Sequence, residues 1–561
     1  MVRRIINLFN KDFGGLHEAA YLLGAFALVS QILALFRDRL LANSFGAGEE
    51  LDIYYAAFRI PDFIYIAIAS FVSITVLVPF LVEKLNGNEN NSHGVSSFIN
   101  SVLTAFFAIM VLSGAIAFFL IPQLSYIIAP GFSDAAREQF INLSRILLLS
   151  PILLGLSSLL GSITQSIKKF FVYAIGPVLY NAGIIAGIVF LKPELGLYGV
   201  VLGVIIGAVL HLVIQLPVII KNALLPKFSL NIDYGAIKEV LVLSLPRTVT
   251  LSMGHLAMIF LISMASLMGK GAISIFNFSL NLQSVPLSII GVSYSVAAFP
   301  TLAALFSNGE SKKFAEHVAI AIRHVIFWSM PAVVLFIVLR AQIVRSVLGS
   351  GAFDWADTKL TAAALALFSI SLIAQSLNLL FVRGYYASGN TKKPFIINLI
   401  SISFIVFSAI ILTQVFQKVE YFRYFMESLL RIDDTERSAV IMLPLAYSLG
   451  MILNSLMFWF SFKKDFEDFS YSIKMAFLNN FSAWVIGGFA AYGTLNLLDG
   501  VLNLNTFLGI FTQGAVAGLV GIFVGIFVLV MVGDREIEEA RKYLHHKFWR
   551  AKVIAPDSES L

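Results

Sequence analysis

The chain contains no cysteine among its 561 residues. Disulfide bonds, thiolate metal centres and cysteine nucleophiles are therefore excluded. The sequence also lacks a HExxH metal motif, a Walker phosphate-binding loop, a glycine-rich dinucleotide fingerprint and the Ser-His-Asp order of hydrolases. These absences argue against an enzyme, and no cofactor is expected.

Charged residues are also scarce, at 13% of the chain against roughly 25% in soluble proteins. They lie in short clusters between apolar stretches of about 18 residues or more, enough to cross a bilayer core of about 30 Å. Strands of a membrane barrel would instead alternate apolar and polar residues. The composition predicts an all-α polytopic membrane protein. The net charge of +6 is attributed to basic cytoplasmic loops, and no nucleic-acid partner is expected.

The apolar runs predict about fourteen membrane-spanning helices. They cover residues 17–44, 51–83, 97–121, 139–164, 171–191, 197–219, 239–268, 271–305, 317–340, 358–386, 394–417, 436–462, 473–497 and 506–532. Loops on the N-terminal side carry most lysines and arginines, such as Lys168, Lys169, Lys392 and Lys393. The positive-inside rule therefore predicts that both termini are cytoplasmic.

A weak internal repeat suggests how the helices are grouped. The loop Gln165-Ser-Ile-Lys-Lys-Phe170 resembles Asn390-Thr-Lys-Lys-Pro-Phe395, which lies six predicted spans later. This spacing predicts two six-helix lobes followed by two further helices, although chance matching of short loops remains an alternative. The predicted parts are a cytoplasmic N-terminus (1–16), an N-lobe (17–219), a linker (220–238), a C-lobe (239–462), helices thirteen and fourteen (463–532) and a cytoplasmic tail (533–561).

Two segments outside the predicted spans carry mixed charge. Residues 418–435 are expected to form a small external helix or loop. The tail from Asp534 is expected to begin as a short amphipathic helix, and its basic residues would favour an anionic inner leaflet. A solvated end after the last span is the alternative for the tail. The roles of both segments stay open.

The richest group of charges near the membrane lies at the junction of the first two predicted spans. It contains Arg37, Asp38 and Arg39, followed by Asp52, Arg59 and Asp62. Asp52 and Arg59 are separated by two helical turns and share a face. Ionisable residues within spans are costly and are functional candidates, and guanidinium groups bind phosphate in a bidentate manner. Interfacial ion pairs at helix ends are the alternative.

Longer segments around these charges match a known pattern. Phe36-Arg-Asp-Arg-Leu-Leu-Ala-Asn-Ser-Phe-Gly-Ala-Gly48 and Leu51-Asp-Ile-Tyr-Tyr-Ala-Ala-Phe-Arg-Ile-Pro61 resemble the N-terminal signature of the MurJ/MviN family of lipid II flippases. Gly176-Pro-Val-Leu-Tyr-Asn181 and Arg383-Gly-Tyr-Tyr-Ala-Ser-Gly-Asn-Thr391 agree with the same family. The family belongs to the multidrug/oligosaccharidyl-lipid/polysaccharide exporter superfamily, and the resemblance runs from residue 17 to about residue 400.

The resemblance implies a two-lobed carrier in the bacterial cytoplasmic membrane. It would move an undecaprenyl-pyrophosphate-linked peptidoglycan precursor from the inner to the outer leaflet by alternating access, for cell-wall synthesis. Arg37, Asp38, Asp52 and Arg59 match family positions and would bind the headgroup. Membrane potential or an ion gradient would drive the cycle, and membrane lipids and cell-wall synthesis proteins would be further partners.

Several family arginines are missing. Gln31 and Asn281 stand where many members carry an arginine, so both are secondary site candidates together with Arg247. Predicted spans seven, eleven and twelve lack the internal carboxylates of the sodium site known in some members. Three alternatives therefore stay open: a flippase for another polyprenyl-linked saccharide, a small-molecule exporter of the same superfamily, and a non-transporting membrane scaffold.

Overall fold

A computed structural model describes residues 16–69, 77, 92–222, 224–229, 233–433, 435–466 and 470–538. No strand occurs in these ranges, so the all-α prediction is confirmed. The helices are α1 Leu16–Phe45, α2 Glu49–Ala57, α3 Arg59–Ala69, α4 Ser92–Ile128, α5 Asp134–Leu147, α6 Leu149–Ser166, α7 Phe170–Ala186, α8 Lys192–Leu195, α9 Leu197–Val213, α10 Leu216–Lys221, α11 Tyr234–Ser266, α12 Ala272–Pro286, α13 Ser293–Ser307, α14 Ser311–Val338, α15 Arg340–Val347, α16 Trp355–Ile370, α17 Leu372–Ala387, α18 Lys392–Lys418, α19 Glu420–Leu430, α20 Met442–Asp465, α21 Ser470–Asp499 and α22 Phe507–Val532. Short π-helical turns join α7 to α8 and α12 to α13.

Ten helices within the described residues are long and apolar enough to cross a membrane. The number rises to eleven if α16 and α17, which meet at an angle of 44°, form one bent span. The protein is therefore a multi-pass membrane protein. The count of about fourteen stays a prediction, because the second predicted span includes residues 70–76 and 78–83, outside the described ranges.

The second predicted span is divided where the charges lie. Helix α2 ends at Ala57, Phe58 separates the two helices, and α3 begins at Arg59. Pro61 lies in the first turn of α3, where the missing backbone N–H of proline leaves no helical hydrogen bond unmade. The division places Arg59 at a helix start and not in the middle of a continuous span.

One compact unit comprises residues 1–282, 347–364 and 391–450. Within it α7 packs closely against α9 through glycines: a Cβ on Gly183 would lie 2.3 Å from the Cα of Gly207, and one on Gly187 2.5 Å from that of Gly203. Only glycine permits this close approach of two helices. The contact holds α7 beside α1, and the candidate site lies on these two helices.

The other compact unit comprises residues 283–346, 365–390 and 451–561. Helices α21 and α22 pack through Gly487 and Gly521. A cluster of buried rings from α14, α17 and α20 surrounds Tyr385, whose hydroxyl donates to Asp465 Oδ2 at 2.9 Å and lies within hydrogen-bond distance of Ser461 Oγ, also at 2.9 Å. The lobe boundaries expected from the sequence stay a prediction.

Candidate functional site

Arg37 and Asp38 lie near the end of α1 and form an ion pair. Arg37 Nη2 lies 2.8 Å from Asp38 Oδ1, and Arg37 Nε donates to the same oxygen at 3.0 Å. Arg37 Nη1 donates to Asn181 Oδ1 on α7 at 3.1 Å. Asn181 is buried, and its own amide nitrogen donates to Ser30 Oγ and to the Pro177 carbonyl. The guanidinium is therefore held from α1 and α7 together.

The second oxygen of Asp38 faces α12. Asn281 Nδ2 donates to Asp38 Oδ2 at 3.0 Å. The structure thus brings the secondary candidate Asn281 into the same cluster as the Arg37–Asp38 pair. A neutral amide satisfies the carboxylate there without adding a positive charge, so Arg37 is the cation that neutralises Asp38.

Arg59 has different surroundings. Its Nη2 donates to Asn277 Oδ1 at 2.6 Å, and Asn277 Nδ2 donates to the Ile273 carbonyl one turn back on α12. The Nε atom of Arg59 is buried and has no hydrogen-bond partner among the described residues. No described carboxylate lies within ion-pair distance of this guanidinium. Arg59 is a half-buried cation that donates to a neutral amide, and Asp62, three residues later on α3, acts on it electrostatically without forming an ion pair.

Helix α12 supplies both amides. Asn277 and Asn281 are four residues apart, so they project from one face, toward Arg59 and Asp38 respectively. The sequence identified Asn281 through the family pattern but missed Asn181 and Asn277. Their signal was weak, because asparagines in apolar helices usually signify packing or helix–helix hydrogen bonding.

Asp52 is buried against the start of α12. It forms no hydrogen bond or ion pair with Arg37 or Arg59 within the described structure. Its Oδ2 accepts from Gly271 N at 2.6 Å, and its Oδ1 accepts from Ser274 N at 2.7 Å and Ser274 Oγ at 2.6 Å. A carboxylate is favoured at a helix N-terminus, where free N–H groups and the helix dipole attract negative charge. In this structure Asp52 anchors α12. Its predicted headgroup contact stays a prediction.

A second group of polar contacts surrounds this anchor and was not predicted. Asp357 Oδ2 accepts from Ala47 N at 2.9 Å, and Arg437 Nη2 lies 3.4 Å from Asp357 Oδ1. Arg437 also donates to the Ala47 carbonyl at 3.1 Å, and Lys270 Nζ lies 2.7 Å from Glu49 Oε2. These contacts tie the α1–α2 turn to the start of α12, which positions the asparagine face of that helix.

The remaining candidates are less connected. Gln31 is half-buried on α1, and the described residues show no hydrogen bond linking it to the cluster. Arg247 lies on α11, but its side chain is outside the described part of the structure. His211 Nδ1 lies 2.6 Å from Ser157 Oγ, as expected for a hydrogen-bonded packing residue.

Within the described ranges no cluster of three or more histidine and carboxylate side chains could hold a metal ion.

Comparisons with known proteins agree with one family. The family model described as "Lipid II flippase MurJ" matches residues 41–512. The lipid II flippase MurJ of Burkholderia cenocepacia is 26% identical over 387 residues, which are 68% of this chain and 75% of that protein. The probable lipid II flippase MurJ of Buchnera aphidicola subsp. Acyrthosiphon pisum is 29% identical over 374 residues, 65% of this chain and 72% of that protein.

Solved structures give the same result for the fold. A structure described as lipid II flippase MurJ in an inward closed conformation matches with a TM-score of 0.70 and 25% identity, covering 91% of this chain and all of that one. An inward-facing multidrug resistance MATE family transporter matches with a TM-score of 0.61 at 14% identity, covering 78% of this chain and 96% of that one, which shows a shared fold only. Since the family model spans most of the sequence, the chain belongs to the lipid II flippase MurJ family.

Proposed function

We propose that this protein is a lipid II flippase of the bacterial cytoplasmic membrane, with both termini in the cytoplasm. It would carry an undecaprenyl-pyrophosphate-linked peptidoglycan precursor from the inner to the outer leaflet by alternating access. Family membership supports the substrate class. The single observation that carries the site assignment is Arg59, a half-buried arginine that donates to a neutral amide, has an unpartnered buried Nε and forms no ion pair within the described residues.

A partly desolvated cation that forms no ion pair favours binding of an anion. Burying a charge is costly unless it is paired, so a pyrophosphate that reaches Arg59 relieves a penalty already present in the empty protein. Its oxygens can accept from Arg59 Nε, which has no protein partner in the described structure. Charge-assisted bonds of this kind contribute about 1.5–3 kcal/mol each.

Arg37 would act as a second, conditional contact. Its ion pair with Asp38 must loosen before the guanidinium can turn to a pyrophosphate oxygen, so carboxylate and substrate compete for the same donor. Because of this competition, the carrier would bind the pyrophosphate with different affinities in its two states, which alternating access requires. Asn281 keeps Asp38 hydrogen-bonded while Arg37 is engaged elsewhere.

The energy source is proposed to be the membrane potential or an ion gradient, with no bound cofactor. Moving one elementary charge across 100 mV is worth about 2.3 kcal/mol. The excess positive charge on Arg59 gives the empty carrier a charge that a pyrophosphate cancels. The potential would therefore act differently on the empty and the loaded protein.

Complementation of a bacterium depleted of its own flippase tests the proposal, with accessibility of lipid II in the outer leaflet as the readout. The wild-type chain should restore accessibility, and Arg59→Ala should abolish it. Arg145→Ala is the matched control, because that arginine lies over the ring of Phe118 on the exposed side of the same unit. Failure of the well-expressed wild-type chain would refute the substrate, while full rescue by Arg59→Ala would refute the site.

A second candidate is a flippase for another polyprenyl-linked saccharide. Asn281 favours it, because an amide contacts Asp38 where many family members have an arginine. Binding of polyprenyl pyrophosphates with different saccharides to the purified protein separates the two functions. A scaffold that recruits cell-wall enzymes would instead tolerate Arg59→Ala and fail on deletion of loops or of the tail.

A further inference from the structure

Helix α19, residues Glu420–Leu430, is strongly amphipathic with its apolar aromatic face turned outward. The exposed side-chain fractions are 90% for Tyr421, 60% for Phe425, 58% for Leu429 and 57% for Tyr424. These positions recur every three or four residues, so they form one face of the helix. Together with Ser428 they make up the aromatic face of α19. A water-exposed helix normally turns such residues inward.

The opposite face holds α19 in place. Met426 and Leu430 are buried, and the ring of Phe422 packs edge-on against Phe416 of α18 at 6.4 Å. Glu427 Oε1 accepts from Ser438 Oγ at 2.8 Å, which ties the helix to the following turn. The outward direction of the aromatic face is therefore imposed by packing on the other side.

The position of α19 along the chain identifies what covers this face. The helix begins two residues after Lys418, the last residue of the 27-residue apolar helix α18. At 1.5 Å per residue α19 is about 16 Å long, too short to cross a bilayer core. Because α19 follows α18 directly in the chain, it begins at the level where α18 would leave the membrane. Helix α18 itself exposes Phe407 and Ile411, so an apolar exterior continues from one helix to the next.

The chemistry of the face fits lipid. Tyrosine and other amphipathic aromatic side chains are enriched where acyl chains meet headgroups, because one end of the ring is apolar and the hydroxyl is polar. Three basic residues accompany the helix: Lys418 before it, Arg423 within it and Arg431 after it. Arg423 lies 5.1 Å from the ring centre of Tyr424. The charged ends of these side chains can reach lipid phosphates while their aliphatic parts stay against the apolar face.

We propose that α19 lies flat in the membrane–water interface and that glycerophospholipids cover its aromatic face. The helix is then an interfacial anchor that fixes the outer end of α18 relative to the lipid headgroups. This inference does not depend on which lipid-linked substrate the protein carries.

Because the chain has no cysteine, a single introduced cysteine provides a unique spin-label site. Ser428→Cys places a nitroxide at the centre of the aromatic face without removing a ring. Asp433→Cys places one in the exposed polar turn five residues later and is the matched control. Both full-length variants are reconstituted in bilayers of phosphatidylethanolamine and phosphatidylglycerol, and power saturation compares access by oxygen with access by a water-soluble nickel chelate.

The oxygen-to-nickel accessibility ratio should be several-fold higher at position 428 than at position 433. Replacing Tyr421, Phe425 and Leu429 together by glutamine should bring the ratio at 428 down to the control value, with the protein still monodisperse. Equal ratios in the unsubstituted background would place the face in water and overturn the proposal. A label at 428 shielded from both reagents would also overturn it, because a protein partner or a second copy would then cover the face.

Discussion

Two arginines, half-buried Arg59 in one compact unit and buried Arg323 in the other, have different surroundings. Arg59 contacts the neutral amide of Asn277, and its Nε has no partner in the described structure. Arg323 on α14 lies with its Nε 2.9 Å from Glu536 Oε1, and Asp534, also buried, accepts from Glu536 N at 3.2 Å. The second arginine forms an ion pair with the chain that follows α22, whereas the first forms none within the described residues and has Asp62 only as a more distant electrostatic partner.

This difference distinguishes an arginine that is able to bind an anion from one that stabilises the structure. A buried ion pair is costly to break, because removing one member leaves the other charged and desolvated. A buried cation without a counter-ion costs free energy in the empty protein and recovers it when an anion binds. The contrast therefore predicts that removing each arginine changes the stability of the protein by a different amount.

The largest effect is expected on stability. Arg323→Ala should lower the free energy of unfolding by about 3–5 kcal/mol, because it leaves the Glu536 and Asp534 carboxylates without their cation. Arg59→Ala should lower stability much less, because it breaks no ion pair within the described residues. Unfolding of both purified variants in the same detergent measures the difference. Equal losses of stability would contradict the distinction between the two arginines.

The second effect concerns the shape of the Arg59 cation. Arg59→Lys keeps the charge but loses the planar fork that contacts Asn277 and a pyrophosphate at the same time. Binding of a polyprenyl pyrophosphate should weaken about tenfold, equivalent to ~1.4 kcal/mol. Titration of purified protein measures it, with Arg145→Lys as the control. Unchanged affinity would mean that Arg59 acts through charge alone.

A smaller effect is expected from adding a cation beside Asp38. Asn281→Arg would offer Asp38 a second guanidinium, which should release Arg37 from its ion pair and strengthen pyrophosphate binding a few-fold. Asn281→Gln, which keeps the amide, is the matched control. Weaker binding in the arginine variant would show that Asn281 is needed as a neutral donor.

The sequence predicted features that depend on neighbouring residues. It did not predict contacts between residues that lie far apart in the chain. Low charge and long apolar runs were sufficient for the membrane class, and Arg37 and Asp38 are adjacent in the chain. Asn277, by contrast, is 218 residues from the arginine it contacts, and no local pattern marks it. Asp52 was expected beside the headgroup, but Gly271 and Ser274 bind it through helix-start groups more than 200 residues away.

The same limit applies to the tail after α22. The prediction of a helix beginning near Asp534 agrees with helical residues 535–538, but the continuation lies outside the described ranges. The burial of Asp534 and Glu536 was not predicted, since acidic residues after a last span usually face water. Arg323, more than 200 residues earlier, provides the cation that makes this burial tolerable.

The smallest expected effect is a pH dependence at this second arginine. Burial, followed by the nearby Asp534 carboxylate, raises the pKa of Glu536 above its ordinary value. The docked tail therefore binds a proton more readily than a detached tail does. Docking should be strongest below the ordinary glutamate pKa and should weaken as pH rises through the raised pKa.

Hydrogen exchange of the backbone amides of residues 534–538, corrected for intrinsic rates, measures this docking. Protection should fall as pH rises in the wild-type chain and should become nearly independent of pH in Glu536→Gln, which stays neutral throughout. Arg59 does not contact Glu536, so Glu536→Gln should leave pyrophosphate binding unchanged at every pH. Protection that grows with pH would mean that the ionised Glu536–Arg323 pair, and not the protonated form, holds the tail in place.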